Sequence, residues 1–169
     1  MSAPVSRYHL AQLNVGIATA PLDSAVMADF MNNLDRINAL AESAPGFVWR
    51  LAGDNDNATA LRPIDDRTMV NMSVWTDAQS LSAFVFRTAH VEFMRRRREW
   101  FERMAEAYLV LWWVPAGHIP TTDEAVARLA HLRFHGATPH AFNFRSVFPP
   151  PDATQAGKPS PIDDTCPAS

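Results

Sequence analysis

The chain has 169 residues, 47% of them hydrophobic and 20% charged, with a net charge of −3. That length and balance fit one globular domain able to bury a full core without staples. The mildly acidic balance argues against nucleic acid as a partner, and the longest apolar run, Leu109 to Ala116, is far short of the ~20 residues a membrane helix needs.

Tyr8 to Gly16 alternates without proline and predicts a strand, with Leu13 and Val15 on one parity and Tyr8, Gln12 and Asn14 on the other. Asp23 to Ser43 is the clearest helix. Met27, Phe30, Met31, Leu34, Ile37 and Ala41 recur at helical spacing, Asp23 or Ser24 can cap the start, and Pro45-Gly46 ends it. Phe47 to Leu51 reads as a second strand and Gly53 to Asn57 as turn chemistry. Thr68 to Trp75 alternates again, with Val70, Met72 and Val74 facing one way and Asn71, Ser73 and Trp75 the other. The capping box that starts at Thr76 opens a helix carrying Leu81, Phe84 and Val85. Helical character restarts near Thr88 and is expected to run to about Ala107. Tyr108 to Pro115 is a fourth strand, apolar enough to be buried on both faces. A further capping box, Thr121 to Glu124, starts a last helix that Gly136 stops, and Ala141 to Phe148 reads as a short extended arm.

Residues 1–148 are therefore expected to form one domain. Residues 149–169 hold six of the 13 prolines and are expected to be a disordered tail. The single cysteine, Cys166, lies in that tail and excludes an intrachain disulfide, which fits a reducing compartment. Met1 to His9 lacks the apolar run of a signal peptide, so a cytoplasmic protein is expected. The order β-α-β-β-α-β is the ferredoxin-like plan: an α+β fold with a four-stranded antiparallel sheet and helices on one face, here with an extra C-terminal helix and arm. The other face would be left bare, and a second copy of the chain is expected to cover it as a homodimer.

Sheet parity selects the candidate site. Leu13, Val15, Val70, Met72 and Val74 are assigned to the helices. Gln12, Asn14, Asn71, Ser73 and Trp75 then share the opposite face, with Tyr108, Val110 and Trp112 expected beside them. Aromatic walls with a few placed hydrogen-bonding groups make a small-molecule pocket; the alternative is a wet dimer interface with no ligand. His90 is the first candidate general base, the alternative being a histidine on a solvated helix face. Arg95 to Arg98 cannot form one patch on a helix, but Arg97 shares a face with His90, Met94 and Phe101, and an inward arginine fits a carboxylate or phosphate on a ligand. His118, after Gly117 at a strand end, is placed to line a pocket mouth or to bond backbone. His131 and His135 have a metal-clamping spacing without a third ligand, and Asp54, Asp56 and Asn57 make only an incomplete calcium loop. No phosphate-binding loop, nucleophile elbow or dinucleotide fingerprint is present.

Five stretches carry a family resemblance: HLAQLN at His9 to Asn14, PGFVWRL at Pro45 to Leu51, VNMSVW at Val70 to Trp75, RTAHVEFMRRRREWF at Arg87 to Phe101, and YLVLWWVPAGHIPT at Tyr108 to Thr121. Over most of residues 8 to 148 the chain resembles an uncharacterised bacterial family, a domain of unknown function, of the dimeric α/β-barrel superfamily. That superfamily includes antibiotic-biosynthesis-type monooxygenases, haem-degrading monooxygenases, chlorite dismutases and isomerases. The resemblance implies a dimer but brings no established activity. Asn14, Trp75 and His90 are similar in position to the Asn, Trp and His of the haem-degrading branch, although Trp75 and His90 stand further apart than that branch's pair. Asn14, Trp75, Trp112 and Arg97 are similar to the groups with which cofactor-free monooxygenases hold an electron-rich aromatic substrate.

The leading expectation is a monooxygenase-like oxidation, without a cofactor, of an aromatic or polyketide-type substrate. His90, Asn14 and Trp75 would be catalytic. Asn71, Ser73, Trp112, Tyr108, Trp49, Arg97 and His118 would bind the substrate. The alternatives are a haem-binding or haem-degrading protein with His90 or His118 on the iron, and a non-catalytic small-ligand-binding dimer.

Overall fold

A computed structural model describes residues 5–54, 56–88, 90–153 and 159–162. Cys166 and most of residues 154–169 lie outside the described residues, so the reading of that stretch as a tail is not addressed there. Four strands, β1 (Tyr8–Ile17), β2 (Phe47–Arg50), β3 (Thr68–Trp75) and β4 (Leu109–Pro115), pair antiparallel in the order β2-β3-β1-β4. β3 thus sits between β1 and β2, the split arrangement of a ferredoxin-like α+β fold.

Helix α1 (Ala28–Ser43) begins five residues later than the spacing predicts. The Ser24 hydroxyl, expected as a cap, is spent on the Pro21 carbonyl inside a turn, and Met27 stands at the cap with no side-chain bond. Gly46 then takes φ +85° in the turn into β2. A Cβ there would sit 2.2 Å from Ser80 Oγ, so only glycine fits. Helix α2 (Ala78–Arg87) is capped by Asp77, whose carboxylate accepts from Ser80 N at 2.7 Å, one residue beyond the expected Thr76.

The single long helix expected after Thr88 is broken. It divides into α3 (His90–Arg95) and α4 (Arg97–Trp100), and from Phe101 the chain is extended beside the end of β1. Glu102 N donates to Ile17 O at 2.8 Å, and Phe101 lies over Gly16, where a Cβ would come within 2.7 Å of the ring. Docking that aromatic ring on a bare backbone position outweighs the continued helical pattern.

Helix α5 (Thr122–His135) starts at Thr121, whose hydroxyl accepts from Glu124 N, and ends at Gly136. Its buried Ala125, Leu129 and Leu132 pack with Ala11, Leu13, Val110 and Trp112, while Leu51, Leu61 and Trp49 extend that core across β3. This is the side opposite α1 and α2, which the four-strand, two-helix plan alone would leave bare. The chain covers it itself, so the need for a second copy no longer follows. The other face carries α1 and α2, with Ile37, Ala41, Leu81, Phe84 and Val85 against Leu10, Trp75 and Leu111.

The arm after α5 covers the outer edge of β4, since Phe142 and Leu111 exchange backbone hydrogen bonds of 2.7 and 2.9 Å. The described part of the proline-rich stretch is docked. Val147 and Ser160 pair through their backbones, and Asp152 accepts from Ser6 Oγ at 2.8 Å and Arg7 N at 2.7 Å. No helix among the described residues is long and apolar enough to cross a membrane.

Candidate functional site

The two sides of the sheet are the reverse of the sequence expectation. Gln12, Asn14, Asn71, Ser73 and Trp75 do share one face, but α1 and α2 lie over it, and the aliphatic set Leu13, Val15, Val70, Met72 and Val74 lies under α5. The register also moves Val110 and Trp112. They pair with Leu13 and Ala11, and antiparallel partners point the same way, so both belong to the aliphatic face.

The polar residues form a ladder. Gln12 Nε2 donates to Asn71 Oδ1 at 2.8 Å and to Ser73 Oγ at 2.9 Å. Asn14 Nδ2 donates to Gln12 Oε1 at 3.1 Å and Asn71 Oδ1 at 3.3 Å. Trp75 Nε1 completes it with a 2.9 Å bond to Ser73 Oγ. Both Gln12 N–H groups and both Asn14 N–H groups are used internally. Among the described residues the Asn71 amide N–H groups and Asn14 Oδ1 have no protein partner, which leaves donors and an acceptor for something else.

Above this ladder α1 to α4 stand off the sheet and enclose a cavity of about 860 Å³. Its floor is Gln12, Asn14, Asn71 and Ser73; its walls include Phe30, Phe84, Phe93 and Phe101. The rings hold one another. Phe30 lies 5.6 Å from Phe93 and 5.2 Å, edge-on, from Phe101, and Trp75 stacks on Phe84 at 5.2 Å. Trp75 is itself only 1% exposed, and its indole N–H is committed to Ser73. Its ring edges the cavity, but its polar atom is not presented to a ligand, unlike the catalytic contact expected of it.

His90 lines the cavity at the start of α3, its ring 5.0 Å from Phe84. Thr88 Oγ1 receives the His90 N–H at 3.2 Å, and His90 Nδ1 makes a long 3.4 Å bond to the Val85 carbonyl. A carbonyl only accepts, so Nδ1 carries the proton and Nε2 keeps its lone pair. Burial pushes the imidazole down to about 4, against the smaller opposing effect of the Val85 carbonyl. The ring is neutral at pH 7 and a poor proton acceptor, which weakens the general-base role expected of it.

Arg97 turns into the cavity from α4. Its Nη2 donates to Val15 O at 2.7 Å, and its guanidinium lies 5.0 Å from the Phe101 ring centre and 4.2 Å from that of Tyr108. Tyr108, just before β4, also lines the cavity. The neighbouring Arg96 instead points outward, bonded to Glu99 and Asp29.

The remaining candidates lie elsewhere. Trp112 Nε1 donates to Glu124 Oε1 at 3.1 Å, and His118 Nε2 meets Glu124 Oε2 at 2.8 Å, a cluster on the α5 side of the sheet. Trp49 packs on the same side. None of the three lines the cavity. Asp56 is paired with Arg50 at 3.1 Å, so its loop already holds a cation. His131 and His135 have rings 4.4 Å apart, yet no set of three ligands for a metal ion occurs among the described residues. Gln12, placed on the pocket face by parity but given no role there, is the hub of the ladder. Its parity two positions before Asn14 was the available signal.

The family described as Domain of unknown function (DUF3291) matches residues 9–158. The chain belongs to this family. The DUF3291 match includes every ladder and wall residue named above, and it runs ten residues past Phe148, into the stretch expected to lie outside it. No curated protein is detectably similar in sequence. Among solved structures, SnoaB, a cofactor-independent oxygenase from Streptomyces nogalater, is 16% identical with a TM-score of 0.43, covering 66% of this chain and 95% of its own. NE2512 from Nitrosomonas europaea, a protein of unknown function, is 17% identical with a TM-score of 0.43, covering 68% of this chain and 97% of its own. PA3566 from Pseudomonas aeruginosa is 14% identical with a TM-score of 0.46, covering 69% of this chain and 100% of its own.

Proposed function

We propose that this DUF3291 protein is a small-molecule enzyme that binds an aromatic, oxygen-bearing compound between the sheet and α1 to α4 and promotes its oxidation by molecular oxygen without a bound cofactor. The observation that carries this reading is the ladder of Gln12, Asn14, Asn71 and Ser73 on the floor of an aromatic-walled cavity. Its volume, about 860 Å³, is that of a pocket for a drug-sized molecule. Fixed amides in an apolar enclosure orient a polyoxygenated ring system without the entropy cost of ordering them at the moment of reaction.

The balanced chemistry is the conversion of an activated CH2 and O2 to C=O and water. The carbon supplies all four electrons, one oxygen atom is retained, and the two hydrogens leave with the other. The slow requirement is an electron-rich carbanion or enolate form of the substrate. Moving a proton from a phenol-like group near pKa 10 to His90 near 4 is uphill by about 8 kcal/mol. His90 therefore serves as a neutral hydrogen-bond acceptor through Nε2, and the substrate's charge is stabilised rather than created by a protein base.

A test follows oxygen uptake with anthrone, a tricyclic ketone with a doubly activated methylene. Catalysis above buffer autoxidation, reduced at least tenfold in Asn71→Ala and Asn14→Ala, supports the reading. Equal conversion of anthrone without oxygen would replace it with an isomerase or lyase. Stable binding with no turnover under either condition would leave a ligand-binding protein.

A second reading, haem binding, is favoured by one observation. The His90 Nδ1–H faces the Val85 carbonyl, and among the described residues Nε2 has no partner, the arrangement of a metal-ligating histidine. His90 would hold the iron through Nε2, and the haem would supply redox chemistry. A Soret band that survives gel filtration after haemin addition and is lost in His90→Ala would establish this reading over the cofactor-free one.

A further inference from the structure

Arg97 is a half-buried cation without an acid. Among the described residues no carboxylate bonds to it, and of its five N–H donors one is used, on Val15 O. The other arginines around it are served differently. Arg96 has Glu99 and Asp29, Arg50 has Glu42 and Asp56, and Arg67 has Glu102. Glu106, which also lines the cavity, meets Arg133 at 3.5 Å. Arg145, the remaining arginine of the lining, is exposed to water.

A desolvated cation without a carboxylate partner is costly. Burial draws its pKa below the ordinary arginine value, the expected sign for a charge without a counterion. Its plane is nevertheless held, by Phe101 at 5.0 Å and Tyr108 at 4.2 Å, so that the remaining N–H groups keep a set direction. It is tied to β1 at Val15, next to Asn14, which pairs with Asn71 across the sheet; the unused Asn71 N–H groups are thus close along the same strands.

We infer that Arg97 anchors an anion subsite in this cavity, and that the natural ligand is an aromatic compound carrying one anionic oxygen, as a carboxylate or as a phenolate or enolate, received by the guanidinium edge. This rests on the cavity being a small-molecule site. A ligand that arrives as its anion also needs no strong protein base, in keeping with a neutral His90.

The test measures binding of 2-naphthoate and its neutral analogue 2-naphthamide to the full-length chain by calorimetry at pH 7.5. The expected result is at least tenfold tighter binding of the naphthoate. Arg97→Gln should abolish that preference and keep the naphthamide affinity within about threefold. Arg97→Lys, which retains the charge but not the fork, should give an intermediate preference. Circular dichroism reports whether each variant is folded, and the comparison in the unaltered protein stands without them. Equal affinity for the two compounds would overturn the anion subsite and leave the cavity reading intact. Failure of both to bind would overturn the cavity as an aromatic-ligand site, and the subsite with it.

Discussion

Trp75 donates its indole N–H to Ser73 Oγ at 2.9 Å while its ring is stacked on Phe84 and met edge-on by Phe47 at 5.5 Å. One side chain thereby fixes a hydroxyl on the cavity floor from within the core. Trp75→Phe keeps an aromatic ring but removes the donor and part of the volume. It should cost about 1–3 kcal/mol of stability, read from the urea midpoint. A loss under about 0.5 kcal/mol would show that Gln12 alone secures Ser73.

His90 should make stability depend on pH in a defined window. Its folded value, about 4, lies below the unfolded value near 6.5, so the folded state binds fewer protons in between. The stability present above pH 6.5 is therefore lost as the pH falls from 6.5 to 4, by at most about 3 kcal/mol. His90→Gln should flatten that limb in a series of thermal melts between pH 4 and 7.5. An unchanged slope would mean that the ring is hydrated in solution.

Glu124 should act at lower pH. Its burial would raise the carboxyl, but hydrogen bonds from His118 and Trp112 outweigh this and hold it below its ordinary value. A depressed carboxylate stabilises the fold above the unfolded value near 4.5, and that contribution is lost as the pH falls through the folded value. In Glu124→Gln the decline below pH 4.5 should be shallower than in the parent, while the slope from 6.5 to 4.5 stays. A change confined to the upper window would contradict this assignment.

Gly16→Ala tests the seat of Phe101. The added methyl would come within 2.7 Å of that ring, so the extended segment after α4 has to shift. The expected cost is about 1–3 kcal/mol, with weaker ligand binding because Phe101 also flanks Arg97. A variant as stable as the parent, with unaltered binding, would show that the segment yields freely.

Much of this architecture is legible in the residues, and the misreadings have physical causes. Alternation in Tyr8 to Gly16 and Thr68 to Trp75 places both strands and separates Asn14, Asn71 and Ser73 from Leu13, Val15 and Met72. Parity divides a sheet into two faces but does not say which layer covers each. Here the purely aliphatic face takes α5, which seals it dry. The mixed face takes α1 and α2, which meet it around Leu10, Trp75 and Leu111, while Met69 packs on Phe30 of α1 further along β3. Trp112 was misassigned because β4 is apolar on both parities, so only its register with β1 decides where each side chain points. The break after Arg95 was hidden because α3 and α4 keep a helical pattern. The chain leaves it to bring Phe101 onto Gly16, a contact between residues 85 positions apart.

With α5 closing one side, the sheet is built like a hull with a sealed underside and an open deck. Its cohesion does not depend on cargo. An empty cavity costs contacts among α1, α3 and α4 while the layer of Leu13, Met72, Val110 and Leu129 stays intact. Backbone amides of β1 and β3 should therefore exchange with solvent only on global unfolding, and those of α3 and α4 through smaller local openings. Built in this way, the upper layer can open without risking the fold that carries it.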